Sequence, residues 1–193
     1  MNRPVRVGAP KVATLFAAAL FACVLALPGS PAAAEPTTIT RLAPRAFAGL
    51  AAPVQQTLRS QDCTIPQSFD AVRRMNIIRG HFLDRWRRDV AALCSKGGVS
   101  SILVIHSKTG RVHAVLASSP DEHYLQTIDE AGTYGFSRRI GLMKPWMLRQ
   151  DIREAKRTLP ESWREGIDDY FVDKASIVHY RHRASWQTVP GAD

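Results

Sequence analysis

Cysteine is scarce in this chain, with three in 193 residues, and none of the three belongs to a Cys-x-x-Cys pair. Redox centres use that spacing to stabilise an attacking thiolate at a helix start, so its absence speaks against thiol chemistry. The Gly-x-Ser-x-Gly turn that exposes a hydrolase serine is missing. So are the glycine-rich loops that cradle dinucleotide or triphosphate phosphates. The chain therefore offers no cofactor motif and no ready nucleophile. No internal repeat marks a solenoid or a propeller. Negative charge is also in short supply: 17 Asp and Glu stand against 26 Lys and Arg, a net charge of +9.

The chain also lacks an apolar run long enough to span a bilayer. Val12 to Leu27 is about 16 residues, short of the roughly 20 a spanning helix needs. What surrounds that run is ordered like an export signal. Arg3, Arg6 and Lys11 precede it, Pro28-Gly29 breaks it, and Ala32-Ala33-Ala34 offers small residues to a peptidase. The expectation is a cleavable signal over residues 1–34, with Glu35 as the new first residue. Cys23 within Leu20-Phe21-Ala22-Cys23 is a poor lipobox, because Phe21 is unsuited to it and the cysteine lies inside the apolar run. Removing the signal leaves 23 Lys and Arg against 17 acids, a net charge of +6, so the basicity belongs to the exported part. That places the protein in the periplasm or outside the cell, with membrane contact only through an uncleaved signal segment.

Two cysteines, Cys63 and Cys94, remain after cleavage. In an oxidising compartment they most simply pair as a structural disulfide. Residues 35–44, rich in Ala, Pro and Thr, read as a flexible tether. Residues 45–193 are long enough to fold around one core. Ala46 to Arg59 predicts a helix with Phe47, Leu50, Val54 and Leu58 on one side, limited by Pro53. Asn76 to Phe82, Val90 to Ser95, Ser101 to Ser107 and Arg111 to Ala117 read as short strands. Gly110 is suited to the left-handed position of the last turn. No crossover helix separates these strands, so the sheet is antiparallel. Pro145 to Arg157 and Pro160 to Phe171 have helical spacing, and Ala175 to Arg181 with Ser185 to Val189 reads as a hairpin. Trp163, Tyr170, Phe171 and Trp186 are expected in the core. The fold class is α+β: a single domain with a meandering antiparallel sheet and one or two packed helices.

Several stretches occur together in order: Cys63-Thr64-Ile65-Pro66-Gln67, Asn76 to Phe82, Asp89 to Ser95, Lys174-Ala175-Ser176 and the terminal Gly191-Ala192-Asp193. This series resembles a family of small exported bacterial proteins with no assigned activity. The resemblance implies the disulfide and the single domain and supplies no catalytic residues. Gly80-His81-Phe82 followed by Asp89-Val90-Ala91 also resembles the outline of one FG-GAP blade. Calcium, however, needs six to eight oxygen ligands, and the intervening Leu83 to Arg88 offers one carboxylate among three guanidinium groups.

Other chemistry finds thin support. With the hairpin paired as predicted, His106 and His113 point to opposite faces. His179 and His182 diverge on a strand, and His81 and His123 have no third ligand, so no metal is expected. Glu161 with Glu165, and Asp168 with Asp169, supply carboxylate pairs of the kind glycoside hydrolysis uses, on what reads as a solvated helix face. Glu122-His123 with Asp129 is the remaining acid/base candidate. A hydrolase with an unrecognised acid/base site is the alternative function.

The most distinctive segment is Arg85-Trp86-Arg87-Arg88, with Arg73-Arg74 upstream and Arg138-Arg139 downstream. Guanidinium groups bind phosphate or carboxylate bidentately while an indole stacks. The competing account is a solvated loop whose tryptophan anchors it to the body. Export makes nucleic acid an unsuitable partner. The expected function is a non-catalytic envelope domain that binds an acidic polymer or a protein partner through Arg85, Trp86, Arg87 and Arg88.

Overall fold

A computed structural model describes residues 39–191. The signal segment, its cleavage site, residues 35–38 and the terminal Ala192-Asp193 lie outside the described residues. The remainder is mostly antiparallel sheet with two α-helices, arranged in layers. Strands β1 (Arg41–Leu42) and β2 (Ile65–Pro66) pair with each other. Strands β3 (Ile77–Asp84), β4 (Arg87–Lys96), β5 (Val99–Ile105) and β6 (Val112–Pro120) form a four-stranded meander in chain order. Strands β7 (Leu125–Thr127) and β8 (Tyr134–Phe136) form a short ribbon. A second four-stranded meander contains β9 (Arg138–Met143), β10 (Gly166–Phe171), β11 (Ala175–His182) and β12 (Ser185–Pro190).

Alternation along the strands makes the layers. In β4, Val90, Ala92 and Cys94 face helix α1 (Ala52–Ser60), where Val54 and Leu58 are buried one turn apart. Ala91 and Leu93 face the other way, and with Phe82, Ile102 and Val104 they meet Ile140 and Ile167 of the second sheet. Met143, Val178, Tyr180 and Val189 then cover the far side of that sheet against Leu148 and Ile152 of helix α2 (Pro145–Glu154). The order is helix, sheet, sheet, helix. Because β4 and β5 bury both faces, they read as near-continuous apolar runs.

Cys63 and Cys94 are joined as a disulfide, their Cα atoms 5.1 Å apart and 31 residues apart in sequence. It ties the segment leaving α1 to β4, beside paired hydrogen bonds between Thr64 and Ser95. In the chain-entropy account a loop of that size stabilises the fold by at most roughly 3.5–4 kcal/mol. The crosslink fits a non-reducing environment.

Several sequence expectations need correction. The stretch expected as a tether is packed from Arg41 onward: β1 pairs with β2, and Pro44 is buried in a short 3-10 turn. Helix α1 starts at Ala52 and not at Ala46, because Pro53 fits only a first turn; Phe47 and Leu50 are buried from the irregular chain before it. The predicted helix Pro160 to Phe171 is absent. Residues 166–171 are instead strand β10, hydrogen-bonded on both sides to β9 and β11. There Ile167 and Asp169 share one face while Asp168 and Tyr170 share the other, so a two-residue period replaces the helical one. One sheet was expected; two four-stranded sheets and two two-stranded ribbons are present among the described residues, the ribbons and β9 having escaped the pattern. Trp163, Tyr170 and Phe171 are half-buried and lie outside the core, while the half-buried Trp186 packs against the core between the two sheets.

Candidate functional site

The β3–β4 hairpin carries the basic segment singled out from sequence. Asp84 pairs with Arg87, which leaves Arg85-Trp86 as a two-residue turn, and the Trp86 amide donates to Asp84 Oδ1 at 2.7 Å. Trp86 is 81% exposed. It therefore does not anchor the loop to the body, and the competing account of this segment fails on that point. The Arg85 guanidinium carbon lies 4.1 Å from the centre of the indole ring, so cation and ring present one joint surface to solvent. Arg88 Nη2 donates to the Arg79 carbonyl at 2.7 Å, leaving its other donors outward. Arg87 is different: its Nε donates to Asp89 Oδ1 at 2.9 Å, and Asp89 is fully buried. Arg87 neutralises an interior acid and is the least available of the four.

Beneath the turn, the β3–β4 register shifts between Gly80 and Asp84. Such a bulge leaves backbone groups without ladder partners, and here side chains from the second sheet's layer satisfy three of them. The His81 amide donates to Glu165 Oε2 at 2.7 Å, Arg164 Nη1 donates to the Phe82 carbonyl at 2.8 Å, and Arg181 Nη1 reaches the Leu83 carbonyl at 3.4 Å. These contacts hold the hairpin across the second sheet and bring Arg181 to its base. The loop between β5 and β6 turns at the same end and adds Lys108 and Arg111. His113, on β6, lies within electrostatic reach of Arg111, Asp89, His106 and Arg181. Burial, then Arg111, lowers its pKa below the ordinary value, against an upward pull from Asp89. One end of the molecule thus gathers Arg85, Arg88, Arg111 and Arg181, while its acids Asp84 and Asp89 are engaged by Arg87.

His106 and His113 do not diverge as the sequence predicted. Their rings stack at 6.1 Å between centroids. A register shift at Val104/Ile105 pairs Ile105 with Val112, and β5 ends before His106. That extra residue in β6 returns both imidazoles to one side.

Arg138 and Arg139, read from sequence as part of the basic cluster, are not available to a ligand on the same terms. Arg138 is fully buried between the sheets. Its Nε and Nη2 grip both carboxylate oxygens of Asp169 at 2.9 and 2.8 Å. Nη1 donates to Ser100 O and Oγ at 2.9 Å, and Nη2 also donates to the Ala117 carbonyl at 2.6 Å. Ala117 has φ of 49° beside a register shift, which turns that carbonyl to the guanidinium. Burial alone raises the Asp169 carboxyl, but Arg138, with His179 Nε2 at 3.7 Å, more than reverses this and holds it below the usual range. Arg139 pairs with Asp70 and with the Tyr170 hydroxyl.

The acid/base candidates are dispersed. Asp168 and Asp169 point to opposite faces of β10, so they cannot flank one bond. Burial, with Asp169 adding to it, raises the Asp168 carboxyl. His123 Nδ1 is 3.3 Å from Ser119 Oγ at an exposed position, while Asp129 caps its own turn through the Thr133 amide. Gly97-Gly98 forms the β4–β5 turn, both residues with positive φ. Sequence reasoning missed the pairing of His81 Nδ1 with Glu165 Oε2 at 3.0 Å. Because the carboxylate only accepts, Nδ1 is the donor of this contact. The two residues are 84 positions apart, and only the bulge brings them together. Among the described residues no group of three His, Cys, Asp or Glu side chains is arranged to hold a metal ion.

No protein-family model, curated protein or solved structure matches this chain.

Proposed function

We propose that the protein is an exported, non-catalytic binding domain of the cell envelope, whose basic end engages an acidic glycopolymer. The single observation that carries this reading is the exposed Trp86 with the Arg85 guanidinium lying over its ring. An indole left in water at a hairpin tip contributes nothing to the fold. A sugar ring stacks on such a face, and guanidinium groups beside it bind carboxylate or phosphate in a planar, bidentate fashion. Arg88, Arg111 and Arg181 extend the positive surface from that tip. The disulfide and the order of residues 1–34 support export, and the likeness to small exported proteins is part of the same reading.

The test is retention of the oxidised 35–193 domain on immobilised heparin, used as an acidic polysaccharide, with and without the changes Arg85→Ala, Trp86→Ala and Arg88→Ala. Arg87 is left in place because its loss strands Asp89. The expected result is salt-sensitive retention that the triple variant loses at unchanged thermal stability. Retention that the variant keeps refutes the reading. Capture of an acidic protein in place of any polysaccharide, from an envelope extract, reassigns the surface to a protein partner.

A further inference from the structure

At a separate place in the fold, β1 with the two residues before it, the loop Ser68 to Arg74, Ile128 and β8 line an open cleft with a volume of about 530 Å³. Its size is that of a small-molecule site. Phe69, Ile128, Tyr134 and Phe136 form its apolar walls and Arg73 and Arg74 stand on its rim. Gly135 is what opens it: a Cβ there would lie 2.7 Å from both Ile128 Cγ2 and Phe69 Cβ, so only glycine lets those side chains close on the backbone as a floor. Three wall residues remain in water, Tyr134 at 56% exposure, and the neighbouring Val72 is almost wholly exposed at 96%. Exposed apolar side chains gathered on one cleft make it a candidate binding surface.

The polar groups nearby define the ligand by what they leave over. The Gln67 amide is spent on the backbone: Nε2 donates to Ile65, Pro66 and Met75 carbonyls, and Oε1 accepts from the Met75 amide. Asp70, the acid of the loop, is engaged by Ser68 and Arg139. Arg74 donates to the Ala46 carbonyl and fixes the loop. Arg73 has no side-chain hydrogen bond or ion pair among the described residues. Of the lining side chains, Gln67 is thus spent, the Tyr134 and Thr40 hydroxyls are the polar groups left to a ligand's flank, and the rim carries two cations while the acid of the loop, Asp70, is already engaged.

We propose that this cleft binds a single-chain amphiphile with an anionic head, the acyl chain lying against Phe69, Ile128 and Phe136 and the head held by Arg73. The same chemistry is available from a free long-chain carboxylate or from an anionic lipid presented by a bilayer. The experiment titrates the oxidised domain with 11-(dansylamino)undecanoate below its micelle concentration and follows dansyl emission. In parallel it measures co-flotation with phosphatidylglycerol vesicles. Saturable binding of the monomer is expected, weakened about tenfold by Arg73→Ala, as a charge-assisted contact requires. A similar loss is expected when the uncharged amide of the same probe replaces the acid. Ile128→Glu, at an exposed wall position, is expected to abolish it. Circular dichroism checks the fold of each variant, and Tyr134→Ser, exposed at the mouth, is a second wall variant expected to weaken binding if Ile128→Glu misfolds. Monomer binding with co-flotation makes the bilayer the source; monomer binding alone makes it the free amphiphile. Absence of saturable monomer binding overturns the proposal, even if vesicles are bound, and so does binding indifferent to the wall variants. The triple change at Arg85, Trp86 and Arg88 lies elsewhere and is expected to leave this binding intact, so the two sites fail or stand separately.

Discussion

Replacing Arg138 by Met tests how the two sheets are held together. The methionine keeps the apolar stem but removes the hydrogen bonds to Asp169, Ser100 and Ala117 and leaves the Asp169 carboxylate buried without its main partner. Breaking a buried pair from one side costs about 3–5 kcal/mol, most of it from the stranded charge. With a urea slope of roughly 2 kcal/mol per molar for a chain of this size, the midpoint should fall by about 1.5–2.5 M. The cost should also depend on pH. In the parent protein the Asp169 carboxyl lies below its ordinary value. Its contribution is therefore fully present above the unfolded pKa of about 3.9 and is lost as pH falls through the lower folded value. In Arg138→Met burial acts with little opposition, the carboxyl rises, and the folded variant takes up a proton more readily than its unfolded chain. The gap between the two proteins should then narrow between pH 7 and about pH 4.5. Urea unfolding of the oxidised proteins, followed by tryptophan fluorescence at both pH values, measures this. Adding Asp169→Leu to Arg138→Met should recover most of the loss, since an apolar pair leaves no charge to desolvate. A midpoint within about 0.3 M of the parent at pH 7, or a gap that stays constant with pH, refutes the argument.

Two further outcomes follow from the same geometry. Burial raises the Asp168 carboxyl, so the folded state holds its proton to higher pH than the unfolded chain and loses stability as pH rises. Asp168→Asn should make the protein more stable than the parent at pH 7, with the advantage gone by about pH 4; thermal melts across that range would show it, and an advantage independent of pH would sink the idea. Gly110 has φ of 72°, and a Cβ there would lie 2.5 Å from the Pro53 carbonyl of α1. Gly110→Ala should cost at least about 1 kcal/mol and more than Gly97→Ala, whose φ of 57° faces open space; equal costs in denaturant unfolding would rule out the close approach to α1.

The fold was partly legible because local pattern and tertiary role agree in some places. Ser101 to Ser107 and Arg111 to Ala117 read as a hairpin since apolar β-branched residues flank a turn with Gly110, and β5 and β6 lie there. Pro145 begins a helix both by sequence and in space, because proline suits a first turn. Where the two disagreed, partners distant in the chain decided. Residues 166–171 carry apolar side chains at spacings that also suit a helix, and become a strand because β9 and β11 offer backbone partners on both edges. The separation of Arg138 from Arg85 was equally hidden. Both are arginines in basic runs, yet one meets a carboxylate 31 residues later in the chain while the other meets water.

The sequence by itself determined the basic character, the cysteine pair, the antiparallel middle and the segment Arg85 to Arg88 as the place where guanidinium and indole come together. The charge and the Arg85 to Arg88 segment follow from composition and neighbouring residues, the cysteine pair from there being just two cysteines after the signal, and the antiparallel middle from short strands joined by tight turns. Only the tertiary structure decided that Trp86 is exposed, that Arg87 and Arg138 are spent on buried acids, that His81 meets Glu165, and that an apolar cleft opens beside Arg73. Burial and pairing are set by residues tens of positions away, and a charge is free for a ligand only after the interior has taken the partners it needs.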